Sequence, residues 1–223
     1  GLHYHYGTLG QLEHGVNYAD AYLRNIGKAP SAARPLARWP YAKDERVRLF
    51  VLAGHRNMEG ERAFVQDLKA RKNTAALARD NSSIAFKYDV GGGIKRSDGW
   101  EPLGPAGPYD TFGPELSFGA ALARTSKDAL AIAKFTHSGS QILDWTPQGS
   151  EATSRNLYPS FLAFVRGALQ ELREKGQTVE LAGVFYHLGE NDMAFGPHRG
   201  SAVERLGSLI AQSRVDLDMP ELK

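Results

Sequence analysis

Three polar clusters in the sequence hold residue types that chemistry uses. They read Gly54-His55-Arg56-Asn57-Met58, Thr136-His137-Ser138-Gly139-Ser140 and His187-Leu188-Gly189-Glu190-Asn191-Asp192. Each contains a histidine, the side chain whose charge changes near neutral pH and which serves as base or acid. The second adds the hydroxyls of Ser138 and Ser140, the third the carboxylates of Glu190 and Asp192. Hydroxyl, imidazole and carboxylate are the parts of nucleophilic acyl transfer, provided N–H donors meet the oxygen that becomes negative. The first cluster adds Arg56, a group that stays protonated and cannot attack a carbonyl carbon. Its planar fork of donors suits a carboxylate or a sulfate. Two readings of Arg56 follow: an internal ion pair with Glu190 or Glu59, or a clamp on an anionic ligand. Taken alone, Ser138 and Ser140 read as ordinary loop serines, and Glu190 and Asp192 as caps of the next element.

Each cluster follows a short apolar run: Val47 to Ala53, Ala129 to Phe135 and Leu181 to Tyr186. Such runs read as strands buried on both faces, as in a parallel sheet. Helical spacing predicts helices over 60–68, 116–124, 158–175 and 202–214. The third is marked by an apolar stripe of Phe161, Leu162, Val165, Leu169 and Leu172. Alternating strands and helices imply an α/β sheet with right-handed crossovers. Ligands of open α/β sheets bind beyond the carboxyl ends of the strands, so the three clusters are expected to converge on one rim. Residues 91–114, rich in glycine and proline, read as an irregular loop over the sheet. Trp100 within it is a candidate for stacking on a sugar ring, whereas Trp145 is open to core packing as well as to a sugar face.

Upstream, Thr8 to Ile26 reads as a helix with Leu12, Val16, Ala19 and Leu23 on one stripe. Pro30, Pro35 and Pro40 then forbid a long helix or a central strand, so 28–45 reads as a linker.

Composition narrows the function. With 42% hydrophobic and 10% aromatic residues in 223, the chain can bury a real core, which excludes disorder as its main description. A balance of 27 Lys+Arg against 25 Asp+Glu, with no dominant basic patch, argues against nucleic acid as partner. No apolar run reaches the ~18–20 residues of a membrane span. The opening Gly1-Leu2-His3-Tyr4-His5 has neither the basic start nor the apolar stretch of a signal peptide. Cysteine is absent, which excludes disulfides, thiolate nucleophiles and Cys-based zinc sites. His3, His5 and His14 lack the paired carboxylate and the spacing of a metal site, so no metal and no cofactor are expected.

The clusters, in this order, resemble the SGNH-type carbohydrate esterases, the sialate O-acetylesterase and acetyl-xylan esterase group. That family's Gly-Gln-Ser-Asn-Met corresponds to Gly54-His55-Arg56-Asn57-Met58, and its Phe-Gly-Pro-Glu to Phe112-Gly113-Pro114-Glu115. Its Lys followed by Gly-Gly-(Thr/Ser) is approximated by Lys134 and Ser138-Gly139-Ser140, with an Asp-Trp pair at Asp144-Trp145. Its Trp-His-Gln-Gly-Glu-Ser-Asp is matched loosely by Tyr186 to Asp192. The resemblance implies a three-layer α/β/α sandwich with a mainly parallel sheet over residues 46–223, flavodoxin-like and incomplete at its C-terminal end. It also implies glycan or acetylated glycan as the ligand, and a periplasmic or extracellular setting.

The family's closing Asp-Gly-x-His resembles Gly1-Leu2-His3, so residues 1–27 look like the end of an SGNH domain. Either they close a preceding domain of the same polypeptide, or one domain has a permuted order. Carried over residue by residue, the resemblance puts catalytic positions at His3 and Glu190. Substrate-binding positions fall on Gly54, Arg56, Asn57, Gly139, His187 and Asp192. The attacking serine corresponds to Arg56, and the family's flanking glutamines to His55 and Leu188. Losing one oxyanion donor typically costs ~100–1,000-fold in turnover, and losing the nucleophile costs more. The expectation is a relative of the esterases without their serine mechanism, the alternative being a non-catalytic module for acidic or sulfated sugars.

Overall fold

Along the first apolar run the side chains alternate between two cores. Val47, Leu49, Val51 and Ala53 pack on one side, and Phe50 and Leu52 on the other. That alternation makes the run a central strand, β1 (Arg46–Gly54). In the computed structural model, which describes residues 34–150 and 155–222, β1 lies between β5 (Ala129–Thr136) and β6 (Thr178–His187) and is parallel to both. The sheet order is β3-β2-β5-β1-β6, with β4 (Glu101–Leu103) pairing β2 (Asn81–Val90) off that path. β2 runs parallel to β5, while β3 (Lys95–Arg96) and β4 run antiparallel to β2.

Helices cover both faces. α3 (Glu115–Thr125) closes the side of Phe50, Leu52 and Ile132, with Phe118 and Leu122 packed there. α5 (Tyr158–Glu174) and the last helix (Ala202–Asp216) close the other. All five members of the α5 stripe are buried, and Pro159 sits in the first turn, where a missing N–H costs nothing. The layers are α/β/α, as the sequence implied.

Three elements differ from the sequence reading. β2 was hidden by its polar residues, which have remote partners: Lys87 pairs Glu171 on α5 and Asp89 pairs Arg96 on β3. Residues 91–114 are not wholly irregular, because β3 and β4 extend the sheet there. The helix expected over 60–68 is instead the short α2 (Val65–Ala70), and another short helix, α1 (Arg56–Glu59), stands ahead of it. Gly60 separates them, at φ +91°, and a Cβ there would lie 1.9 Å from the Phe112 carbonyl oxygen. Only glycine accepts both that approach and that backbone.

Of the proline-rich stretch, residues 34–45 belong to the same compact unit as the sheet. The buried Tyr41 hydroxyl donates to the Leu130 carbonyl and accepts from the Ala85 N–H, tying this strap to β5 and β2. Residues 1–33, which hold His3 and the expected first helix, lie outside the described residues.

Candidate functional site

Register brings the polar clusters together. Gly54 at the end of β1 is level with Thr136 on β5 and with His187 on β6. The backbone continues this match, His55 N–H donating to His187 C=O (3.0 Å) and His137 N–H to Gly54 C=O (3.0 Å). A Cβ on Gly54 would stand 2.2 Å from the His187 carbonyl oxygen, so its role is close strand approach.

Beneath the rim lies a buried ionic frame. Lys134 Nζ donates to Glu115 Oε2 (2.7 Å) and to the main-chain carbonyl of Glu59 (3.0 Å), and both ends of the ion pair are fully buried. Glu115 also accepts the Gly113 N–H. The Glu59 carboxylate accepts from Gly91 N–H (3.0 Å), Thr136 Oγ1 (3.0 Å) and Ser138 N–H (3.2 Å). One buried acid therefore joins the glycine turn after β2, the end of β5 and α1. Sequence reasoning named Glu59 only as an ion-pair partner for Arg56 and did not find this role, for which the sole signal was its place in the turn after Met58.

At the rim, Arg56 opens α1 with its side chain 49% exposed, and its Nε lies 3.4 Å from Glu61 Oε2. The expected internal partners are corrected: Glu59 is turned inward, and Glu190 Oε1 instead accepts from Asn57 Nδ2 at 2.9 Å. His187 Nε2 stands 3.8 Å from the same oxygen, while Glu190 Oε2 is buried with no hydrogen-bond partner. Asn57, His187 and Glu190 thus come together as a group.

His55 is fully buried, its Nδ1 3.5 Å from the His137 carbonyl and its Nε2 unpartnered. Burial lowers its pKa below the usual histidine range against the opposing charge of Glu190, so the ring is held neutral. The hydroxyls of the second cluster are engaged. Ser140 Oγ donates to His137 C=O (2.7 Å) and accepts from Trp145 Nε1 (2.9 Å), and Ser138 Oγ donates to Glu61 Oε2 (3.4 Å). Among the described residues, neither serine hydroxyl is bonded to a histidine ring nitrogen. Gly139 turns at φ +81°, and its carbonyl accepts from Arg155, which also pairs Asp144.

Two expected ligand contacts are corrected. Asp192 is fully buried and its Oδ2 accepts the Ile142 N–H (3.0 Å), bracing α6 (Glu190–Ala194) against α4 (Ile142–Trp145). Trp100 is 7% exposed and belongs to the core, because β4 draws its segment onto β2. Trp145 is core as well. Glu61 and Arg155 were missed; Glu61 reaches the rim through the Gly60 turn, which only the backbone reveals. Among the described residues no three His, Asp or Glu side chains gather as a metal site would need, and no helix is long and apolar enough to cross a membrane.

A mixed sheet, parallel through β2, β5, β1 and β6 and covered by helices on both faces, is a fold this chain shares with solved structures. The family described as "Carbohydrate esterase, sialic acid-specific acetylesterase" matches residues 46–223, and the chain belongs to that family. Among solved structures it is similar to an Arabidopsis thaliana protein at TM-score 0.56 and 22% identity, covering 80% of this chain and 71% of that one. It is also similar to a carbohydrate acetylesterase from Xanthomonas citri, at TM-score 0.53 and 19% identity over 78% of this chain and 40% of that one. For NanS the values are 0.54 and 16%, over 80% of this chain and 64% of that one. The chain thus spans less than two thirds of the Xanthomonas protein and of NanS. No curated protein sequence matches significantly.

Proposed function

We propose that this carbohydrate-esterase domain holds glycans at the rim of its sheet and does not cleave them by an acyl-serine route. The observation that carries the reading is Arg56: a permanently charged guanidinium, half exposed, stands directly after β1 where the family resemblance puts the attacking serine. The Ser140 hydroxyl supports it, since a nucleophile needs a base within hydrogen-bond reach and this one donates to the His137 main-chain carbonyl instead. Asn57, His187 and Glu190 keep a polar wall beside Arg56, fit to bond sugar hydroxyls. Because the cation faces solvent, acidic or sulfated glycans suit the rim better than neutral ones.

Isothermal titration of the whole chain with N-acetylneuraminate and glucuronate tests this. Binding should weaken roughly ten- to hundredfold in Arg56→Ala, the loss of a charged hydrogen-bond donor. An affinity untouched by that substitution would remove Arg56 from the ligand.

A further inference from the structure

We propose that Arg56 and Ser138 form a seat for a ligand's oxyanion, and that Glu61 occupies this seat in the free protein as an internal stand-in for the ligand. The proposal rests on the glycan-binding reading above and names the regulation of that same rim.

The seat is visible because a carboxylate is already in it. Glu61 Oε2 lies 3.4 Å from Arg56 Nε and accepts the Ser138 hydroxyl at 3.4 Å. One oxygen thus meets a cation from the β1 cluster and a hydroxyl from the β5 cluster. Ser138 is fixed for this role: its N–H donates to Glu59, and His137 Nδ1 lies 2.8 Å from its carbonyl oxygen. Both distances to Glu61 are long for strong contacts, so the carboxylate is loosely held.

Local backbone geometry explains how Glu61 comes to be there. α1 ends in Gly60, at φ +91°, and the N–H groups of Gly60 and Glu61 both donate to the Arg56 carbonyl, at 2.9 and 3.2 Å. This is the helix ending in which the residue after the left-handed glycine turns back to touch the residue five before it. That contact is commonly apolar; here it is Arg56 with Glu61. The side chains of both remain open to solvent, 49% for Arg56 and 29% for Glu61, so exchange for an outside anion needs no opening of the core. Among the described residues Glu61 is the one carboxylate in ion-pair range of Arg56. A ligand carboxylate or sulfate would replace it on the same two donors while Glu61 swings into water. An exposed pair of this kind is weak, so the stand-in lowers affinity for anions modestly without closing the site.

The test compares wild type, Glu61→Gln, Arg56→Ala and Ser138→Ala by isothermal titration at low salt. The probes are glucuronate and N-acetylneuraminate for carboxylates, N-acetylglucosamine 6-sulfate for sulfate, and galactose as the neutral control. Emptying the seat should raise affinity for an anionic probe about three- to tenfold in Glu61→Gln, leave galactose unchanged, and give weaker binding in Ser138→Ala. A gain confined to carboxylates or to sulfate supports the seat and identifies its anion. If Glu61→Gln binds no tighter than wild type while Arg56→Ala loses binding, the stand-in is overturned and the Arg56 reading survives. If no anionic probe binds either wild type or Glu61→Gln, both fall together.

Discussion

Replacing Lys134 with methionine will destabilise the domain by about 3–5 kcal/mol, the usual cost of stripping one partner from a buried ion pair. Lys134 and Glu115 are both fully inside the protein, 2.7 Å apart at Nζ and Oε2. Without the ammonium, the Glu115 carboxyl keeps only the Gly113 N–H and is left unpaired in a medium that solvates charge poorly. The Glu59 carbonyl loses its donor in the same step. For a chain of this size the midpoint should fall by roughly 6–20 °C. Lys134→Met combined with Glu115→Leu should recover much of the loss, since two apolar groups need no pairing. Urea and thermal unfolding followed by circular dichroism measure both, and a single-variant loss under about 1 kcal/mol would mean that the pair does not support the rim.

Gly54→Ala is expected to cost about 3 kcal/mol or more, by forcing apart the backbones of β1 and β6. The added methyl would start 2.2 Å from the His187 carbonyl oxygen and 2.9 Å from its carbonyl carbon, both main-chain atoms that no rotamer change can move away. Relief must come from opening the pairing that His55 N–H makes with His187. His187 and Glu190 would then leave Asn57, so any glycan affinity should fall together with stability. Amide exchange would report this as lost protection at His55, with β2 and β5 unchanged. A variant of wild-type stability would show that the strands are farther apart than described.

The central sheet was legible in the sequence because strands buried on both faces are written as unbroken apolar runs. Val47 to Ala53 and Ala129 to Phe135 need no remote information to be read. β2 does: Lys87 and Asp89 look like surface residues until Glu171 and Arg96 are known to meet them. The convergence of the three clusters followed from topology alone, since parallel strands end on one side. What each residue does there did not follow. Asp192 and Trp100 carry side chains suited to a ligand, yet Asp192 holds the Ile142 amide and Trp100 fills the core. The partner of Arg56 depended on one left-handed glycine, Gly60, which turns a residue five positions away into a neighbour. Spacing arguments built on helices or strands do not reach such a contact.

Intact-mass spectrometry after incubation with a fluorophosphonate, with p-nitrophenyl acetate hydrolysis followed in parallel, asks most directly whether this rim holds glycans without an attacking hydroxyl. The expected result is an unchanged mass and hydrolysis no faster than buffer. A stoichiometric phosphonyl adduct on any serine or threonine, accompanied by ester turnover, would contradict the reading of Arg56 from which the rest is built.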